Sequence, residues 1–184
     1  MTLELETARL RLRPVTPADR DDLFALEQDP EVMRFLNGGA PTPRDGIDPE
    51  ASFLMPRGAR EGLWAAIEKA SGAFVGWFSL WDGGDGTAEL GYRLRRAMWG
   101  LGYGGEGAKM LVDAGLSHLG FTRIVANTMA VNQASRRVME KAGLVHVATV
   151  YLDGPGSLPG AEHGDVEYAL TLEDWRRTSR VTPG

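Results

Sequence analysis

The 184-residue chain contains no cysteine, and it has no apolar run near the roughly 20 residues that a membrane-spanning helix needs. The absence of thiols excludes disulfides, thiolate nucleophiles and cysteine metal sites, and nothing favours an oxidising compartment. The first residues carry charges where a signal peptide has an apolar core, so we expect a cytoplasmic protein without a membrane partner. The net charge of −5 argues against a nucleic-acid-binding protein and weakly favours a cationic partner such as an amine.

Several catalytic and metal-binding motifs are also missing. No Gly-Lys-Ser/Thr follows the glycine-rich stretch, and no G-x-S-x-G is present, so a P-loop and a hydrolase nucleophile elbow are both unsupported. The three histidines, His118, His146 and His163, show no metal-ligand spacing. His163, Asp165 and Glu167 stand at alternate positions, but this pattern alone is weak, and we predict no metal site.

Composition and periodicity predict one domain spanning residues 1–184, since 43% apolar and 24% charged residues are typical of a globular protein.

The first half of the chain is predicted to contain four strands and two helices. Alternation predicts a first strand over 10–15. Thr16 then caps a helix that begins at Pro17, and a second short helix covers 31–36. Residues 37–56 are predicted to form a long loop with one helical turn near 49–54. The segments 63–68, 73–80 and 89–94 predict an antiparallel meander with Trp64 and Trp77 in the core.

The stretch from Glu89 to Gly107 is the strongest functional signal. A half-buried strand over 89–94 is followed by five glycines and an amphipathic helix. Glycines permit positive φ and remove the Cβ that would hold a ligand away, and a helix start offers unpaired N–H groups. The pattern predicts a phosphate-binding loop, and its alternative is an ordinary flexible connection. The glycines concerned are Gly100, Gly102, Gly104, Gly105 and Gly107.

The second half of the chain alternates helices and strands. A helix is predicted to end at Gly120, a strand covers 121–129, and Asn132 caps a helix that ends before Gly143. The helical crossover predicts that the strands containing Glu89 and Arg123 lie parallel. Two last strands, 145–152 and 166–171, precede a tail that we expect to be frayed beyond Trp175.

Three segments in this order resemble the GNAT N-acetyltransferases: ELGYRL (89–94), WGLGYG (99–104) and NQASRRVMEKAGL (132–144). The opening LETARLRLRP (5–14) and DPEVMRF (29–35) resemble the branch that contains ribosomal-protein N-terminal acetyltransferases. The resemblance implies an α/β fold with a central mixed, mostly antiparallel sheet, splayed at a parallel strand pair and with helices on both faces. It also implies acetyl-CoA as co-substrate and an amine acceptor, and it allows for a homodimer.

The resemblance also assigns binding roles residue by residue. It implies that three strand residues hold the pantetheine arm through their backbone, namely Tyr92, Arg93 and Leu94. The loop implied to cradle the pyrophosphate comprises Trp99, Gly100, Leu101, Gly102, Tyr103 and Gly104. Asn132 and Ser135 match the family's pair beside the pantetheine and thiol, although Asn132 is also a favoured helix cap. Arg136 and Arg137 either reach a phosphate or form a solvated helix face.

Acetyl transfer needs a neutral amine and protonation of the leaving thiolate. The resemblance places Glu89 beside the thioester, where it either accepts the amine proton, directly or through one water, or orients the substrate. A solvent-facing strand residue is the alternative. The position at which many family members carry a tyrosine general acid is Met139 here. Ser135 is therefore the leading candidate for protonating the thiolate, and Tyr151 or water is the fallback.

The primary hypothesis is an acetyl-CoA-dependent N-acetyltransferase that acts on a primary amine by direct attack in a ternary complex. The acceptor remains open among a protein N-terminus, an amino acid, a polyamine and an aminoglycoside-like amine. A non-catalytic acyl-CoA sensor or scaffold is the rival reading, supported by the missing tyrosine. A third interpretation, an enzyme that binds a nicotinamide dinucleotide, depends only on the G-x-G-x-x-G pattern at 100–105. That fingerprint should follow a strand directly, and here residues 95–99 lie between them.

Overall fold

A single mixed sheet organises the computed structural model, which describes residues 3–41, 62–151 and 158–179. Eight strands are present in these residues, and the helical turn predicted near 49–54 lies outside them. The strands are β1 (Leu5–Glu6), β2 (Leu10–Pro14), β3 (Gly62–Glu68), β4 (Phe74–Asp82), β5 (Thr87–Leu94), β6 (Arg123–Met129), β7 (Val145–Val150) and β8 (Asp165–Thr171). The helices are α1 (Arg20–Leu26), α2 (Pro30–Asn37), α3 (Tyr103–Ser117), α4 (Gln133–Lys141) and α5 (Leu172–Ser179).

The strand order is β1-β2-β3-β4-β5-β6-β8-β7, and only β5 and β6 run parallel. Helix α3 makes the crossover between those two strands, as a parallel connection requires. The predicted fold class and the predicted parallel pair are both confirmed. The β3–β4 hairpin and its continuation into β5 also form the predicted antiparallel meander.

Apolar side chains cover both faces of the sheet. On one face, α3 and α4 pack over the larger core, which includes Trp64, Phe78 and Leu111. On the other face, α1 packs over a smaller core that includes Leu26 and Trp77. Both tryptophans predicted to be core residues are buried. Because strand side chains alternate between faces, each site residue on β5 belongs to one of these two sides.

The first helix begins as predicted, with Thr16 as its cap and Pro17 in its first turn. A 3-10 turn over Pro17–Asp19 leads into α1, and the buried Asp19 carboxylate accepts a hydrogen bond from the Thr16 amide (2.8 Å). Arg13 donates to both oxygens of this carboxylate (2.8 and 2.6 Å). Burial by itself raises the pKa of Asp19, but the hydrogen bonds from Arg13 and Thr16 outweigh it, so the pKa is lowered.

The end of the chain differs from the prediction. The prediction that the tail beyond Trp175 is frayed is wrong up to Ser179, because α5 continues to that residue. Thr171 Oγ1 accepts a hydrogen bond from the Asp174 amide (3.1 Å), and the Trp175 indole N–H donates to Asp113 on α3 (2.7 Å). These contacts hold the helix against the domain. In the described ranges, none of the helices is long and apolar enough to span a membrane.

Candidate active site

The parallel strands β5 and β6 separate after a short paired stretch. They pair only from Thr87 to Glu89 on β5 and from Arg123 to Val125 on β6. Beyond these residues, β5 stays paired with β4, and β6 stays paired with β8. The gap opens into a cleft of about 1550 Å³ that α2, β5, the glycine loop, α4 and residues 158–165 line.

Backbone alternation decides which groups of β5 face this gap. The Arg95 amide donates to the Val75 carbonyl on β4 (2.9 Å). Because backbone groups alternate sides along a strand, the amide and carbonyl of Arg93 also face β4, and those of Tyr92 and Leu94 face the gap. The Leu94 carbonyl accepts a hydrogen bond from Trp99 Nε1 (2.9 Å). Tyr92 therefore presents its amide and carbonyl to the gap.

The side chain of Arg93 is engaged on the α1 side of the sheet. Its guanidinium lies 2.6 Å from the Glu27 carboxylate, and the two side chains are only 10% and 6% exposed. The guanidinium also lies 5.3 Å from the Trp77 ring centroid. Burial lowers the pKa of Arg93, and the charge of Glu27 offsets this shift only in part. This ion pair fixes α1 to β5 beside the cleft.

Glycine is required at the positions of this loop for different structural reasons. Gly100 and Gly102 adopt φ of 73° and 87°, which an L side chain rarely tolerates, and Gly102 caps α3. A Cβ on Gly104 would lie 3.0 Å from Val138 on α4, and one on Gly107 would collide with the Phe78 ring. The later glycines therefore permit close packing of α3.

A contact from the start of the chain holds the glycine loop. Arg9 donates to the Leu101 carbonyl (3.0 Å) and to the Glu106 carboxylate (2.7 Å), and its guanidinium lies 4.4 Å from the Tyr103 ring centroid. Tyr103 in turn donates to Glu68 on β3. No local sequence pattern predicts this role of Arg9, because its partners lie more than 90 positions away in the chain.

Ser135 is held at the start of α4 by two neighbours. The Asn132 side chain accepts a hydrogen bond from the Ser135 amide (3.2 Å), which confirms the predicted helix cap. The Tyr92 hydroxyl lies 2.9 Å from the Ser135 carbonyl oxygen and 2.8 Å from Ser135 Oγ. Burial raises the pKa of Tyr92 well above its ordinary value, although the contact with Ser135 opposes the shift. The phenol is therefore neutral and holds Ser135 by hydrogen bonding.

Glu89 is exposed on the other face of the sheet, because its side chain alternates with that of Leu90. It lines the cleft, and Asn127 Nδ2 lies 3.4 Å from its carboxylate. The structure does not bring Glu89 into contact with Ser135; the two residues lie on opposite faces, with the gap between them. Asn127 was not anticipated, since its position opposite the gap depends on the pairing of β6 with β8.

Met139, the position at which the resemblance implied a tyrosine in many proteins, carries no hydroxyl. Met139 is 1% exposed and packs in the larger core. Of the two arginines considered for a phosphate, Arg136 instead donates to the Tyr168 hydroxyl and the Ala130 carbonyl (both 3.1 Å). Arg137 is exposed and lines the cleft.

Charged side chains of both signs line the cleft. The basic Arg137 and Lys141 lie on α4, beside the glycine loop. Among the arginines of the cleft, Arg93 is paired with Glu27, and Arg34 lies 3.9 Å from Glu31. The glycine loop therefore favours an anionic ligand. Carboxylates from three parts of the chain also line the cleft, namely Glu31, Glu89, Glu162 and Asp165.

The described ranges contain no cluster of three or more His, Asp or Glu side chains that could hold a metal ion. His163 lies 3.6 Å from the neighbouring Glu162 carboxylate instead.

The sequence and the fold both match known proteins. Residues 9–145 match the acetyltransferase (GNAT) domain family. The chain is 34% identical over 188 residues to the FsC-acetyl coenzyme A-N(2)-transacetylase of Aspergillus fumigatus, covering 96% of this chain and 79% of that protein. It is 29% identical to the uncharacterized N-acetyltransferase p20 of Bacillus licheniformis, covering 77% and 84% of the two chains.

Solved structures agree with this match in fold. The crystal structure of a spermidine N-acetyltransferase from Vibrio cholerae, in complex with CoA and spermine, superposes with a TM-score of 0.73 at 14% identity. That comparison covers 92% of this chain and 99% of the other. A GNAT-family acetyltransferase from Bacillus anthracis gives a TM-score of 0.76 at 21% identity, covering 93% and 99%. At these identities the likeness establishes the fold.

Proposed function

The chain belongs to the GNAT acetyltransferase family, and we propose that it acetylates a primary amine by direct attack within a ternary complex. It is an N-acetyltransferase with acetyl-CoA as co-substrate, which supplies a thioester carbonyl for the amine to attack. The observation that carries the proposal is the separation of β5 from β6 directly after Glu89, with the glycine loop at the opening.

The residues at the opening fit a pyrophosphate and a pantetheine arm. Helix α3 starts at Tyr103, so its first N–H groups and the positive end of its dipole lie at the loop. In our proposal, residues 99–104 hold the pyrophosphate, and Arg137 and Lys141 add positive charge. Of the strand residues 92–94, Tyr92 contributes most to binding the arm, because the Arg93 backbone faces β4 and the Leu94 carbonyl already accepts from Trp99.

The two faces of the gap divide the chemistry between them. Glu89 takes the proton of the incoming ammonium group, directly or through one water, and Asn127 orients the carboxylate. Ser135, held by Tyr92 and Asn132, donates a hydrogen bond to the departing sulfur from the other face. No covalent enzyme intermediate is needed. Tyr151 also lines the cleft and is 68% exposed, so it remains the alternative donor.

Charge supports an amine acceptor, because carboxylates that line the cleft, Glu89 among them, attract a cation. The names of two similar proteins refer to transfer at N(2) and to spermidine. Neither name refers to a ribosomal protein, so membership of that branch remains a prediction, to be tested with peptide N-termini as acceptors. A homodimer also remains a prediction, which light scattering would test. The non-catalytic sensor is not favoured, since the named relatives are enzymes.

Cofactor binding is tested by ligand-dependent thermal stability. CoA at 100 times its Kd should stabilise the fold by roughly 2.7 kcal/mol, and NAD should have no effect. Gly100→Ala should weaken CoA binding by about tenfold, or about 1.4 kcal/mol. Gly72→Ala is a matched control, because both glycines have φ of 73° and a Cβ on either meets no atom within 4 Å. Equal CoA affinity in the two variants would reject the loop assignment.

Glu89→Gln tests the chemistry. The substitution keeps the size of the side chain and removes the base, so kcat should fall by about a hundredfold with CoA affinity nearly unchanged. The acidic limb of the pH–rate profile should disappear with it. Full activity with the same pH profile would show that another group, or water, takes the proton.

A further inference from the structure

Arg9 lies behind the glycine loop, on the side away from the cleft. Its guanidinium donates to the Leu101 carbonyl (3.0 Å), and a Cβ on Gly102 would lie 3.2 Å from Arg9 Nη2. Among the described residues, Gly100, Gly102 and Gly104 line the cleft, whereas Arg9 and Leu101 do not. The arginine therefore contacts the loop from the face opposite to the one that a ligand in the cleft meets.

The contact with Leu101 sets the direction of the next backbone amide. The described part of the chain contains no cis peptide bond, and in a planar trans peptide the carbonyl and the N–H of one unit point in opposite directions. Because the Leu101 carbonyl points to Arg9, the Gly102 N–H points to the cleft. No group of the described residues accepts a hydrogen bond from this N–H. The amide is therefore available to an anionic ligand at the start of α3.

The guanidinium of Arg9 is itself held in a fixed orientation. Its Nε and Nη2 both lie 2.7 Å from Glu106 Oε2 on α3, and the Arg9 amide donates to the other oxygen of this carboxylate (2.9 Å). The Tyr103 ring lies against the guanidinium plane, 4.4 Å from its carbon to the ring centroid. Since Glu106 pairs with the guanidinium, Arg9 adds little net charge to the loop, and its effect on the loop is mainly geometric.

We propose that Arg9 is a positioning residue for the pyrophosphate of acetyl-CoA. It holds the Leu101 carbonyl away from the cleft, so that the Gly102 N–H donates to a phosphate oxygen. Without Arg9, the peptide between these two residues is free to rotate, which brings a carbonyl oxygen towards the phosphate. Arginine fits this role because its planar fork donates to the loop and to α3 at once. The proposal rests on the assignment of residues 99–104 to the pyrophosphate.

The test measures the Kd of CoA by calorimetry, which requires no acceptor. Arg9→Ala should raise this Kd by at least about tenfold, because the site loses a hydrogen bond to a charged group. Lys69→Met is the matched control. Lys69 holds the same segment of the chain, through the Glu6 carboxylate and the Thr7 carbonyl (both 2.8 Å), and its variant should keep the wild-type Kd.

A second variant separates geometry from charge. Arg9→Lys keeps the positive charge and loses the fork, so it should also raise the Kd of CoA severalfold, and it carries the test if Arg9→Ala does not fold. A wild-type Kd in Arg9→Lys would show that charge alone matters and would overturn the positioning role. Thermal unfolding verifies that each variant is folded. An unchanged Kd in folded Arg9→Ala, or an equal rise in Lys69→Met, would overturn the proposal as well.

Pantetheine separates this proposal from the assignment of the loop. It shares the thiol arm with CoA and lacks the pyrophosphate and the nucleotide, so its Kd, measured by displacement of CoA, should be the same in the wild type and Arg9→Ala. Equal weakening of both ligands would show that Arg9 supports the whole cleft and would overturn the proposal. A wild type that binds pantetheine as tightly as CoA contradicts the loop assignment and the proposal together. A preference for CoA that Arg9→Ala retains in full contradicts the proposal and leaves the loop assignment standing.

Discussion

Tyr92→Phe is the most informative single substitution, because it removes one oxygen and keeps the ring. That oxygen lies 2.8 Å from Ser135 Oγ and 2.9 Å from the Ser135 carbonyl. The ring contact with Phe78, at 6.1 Å between centroids, is retained. At roughly 0.5–1.5 kcal/mol for each of the two net hydrogen bonds, the free energy of unfolding should fall by about 1–3 kcal/mol. For a chain of this size, Tm should drop by about 2–12 °C.

The effect on catalysis distinguishes a positioning role from simple packing. If Tyr92 holds Ser135 for the departing sulfur, Tyr92→Phe should lower kcat by about tenfold and change the Kd of CoA little. Ser135→Ala should lower kcat as well. The double variant should be no slower than Ser135→Ala alone, because the two residues then act as one unit. Denaturant unfolding and steady-state kinetics on all four proteins give the complete cycle.

The pH dependence follows from burial of the phenol. Burial raises the pKa of Tyr92, so the folded protein keeps its proton at pH values at which the unfolded chain loses it. The contribution of Tyr92 to stability is therefore fully present below about pH 10 and is lost as the pH rises further, and Tyr92→Phe should be less sensitive in this range. Lower stability with unchanged kcat would refute the positioning role, and equal alkaline sensitivity in the two proteins would refute the burial argument.

Three further predictions concern stability. Glu27→Gln should lower the free energy of unfolding in denaturant by about 3–5 kcal/mol, because it leaves Arg93 charged and buried without its carboxylate. The double variant Glu27→Leu with Arg93→Met should recover most of this loss, and equal stability of the single and double variants would contradict the prediction. Gly107→Ala should cost about 1–3 kcal/mol, since its Cβ meets the Phe78 ring, and an unchanged Tm would count against that contact. The lowered pKa of Asp19 contributes stability above about pH 4 that is lost as the pH falls, so the free energy of unfolding of Asp19→Asn should decrease less with falling pH than that of the wild type. The same decrease in both proteins would contradict this prediction.

Those parts of the candidate site were predictable from the sequence whose residues interact with their immediate neighbours in the chain. Alternation along 89–94 indicated the strand, glycine clustering indicated the loop, and Asn132 three residues before Ser135 indicated the helix cap. Charge patterning was less informative, because Arg136 and Arg137 are adjacent in sequence but only one binds structural partners. Resemblance to a family supplied the assignment of Glu89, whose role in the chemistry remains a proposal.

The sequence by itself determined the order of the elements from β2 to β8, the parallel pair and the position of the loop, but neither β1 nor α5. Periodicity, caps and glycine turns depend on interactions within about four residues, so they are visible in a linear pattern. The tertiary structure alone decided that Arg93 pairs with Glu27 and that Tyr92 holds Ser135. Those partners meet because strand register and helix packing bring distant segments together, and a shift of one residue in register would place each side chain on the opposite face.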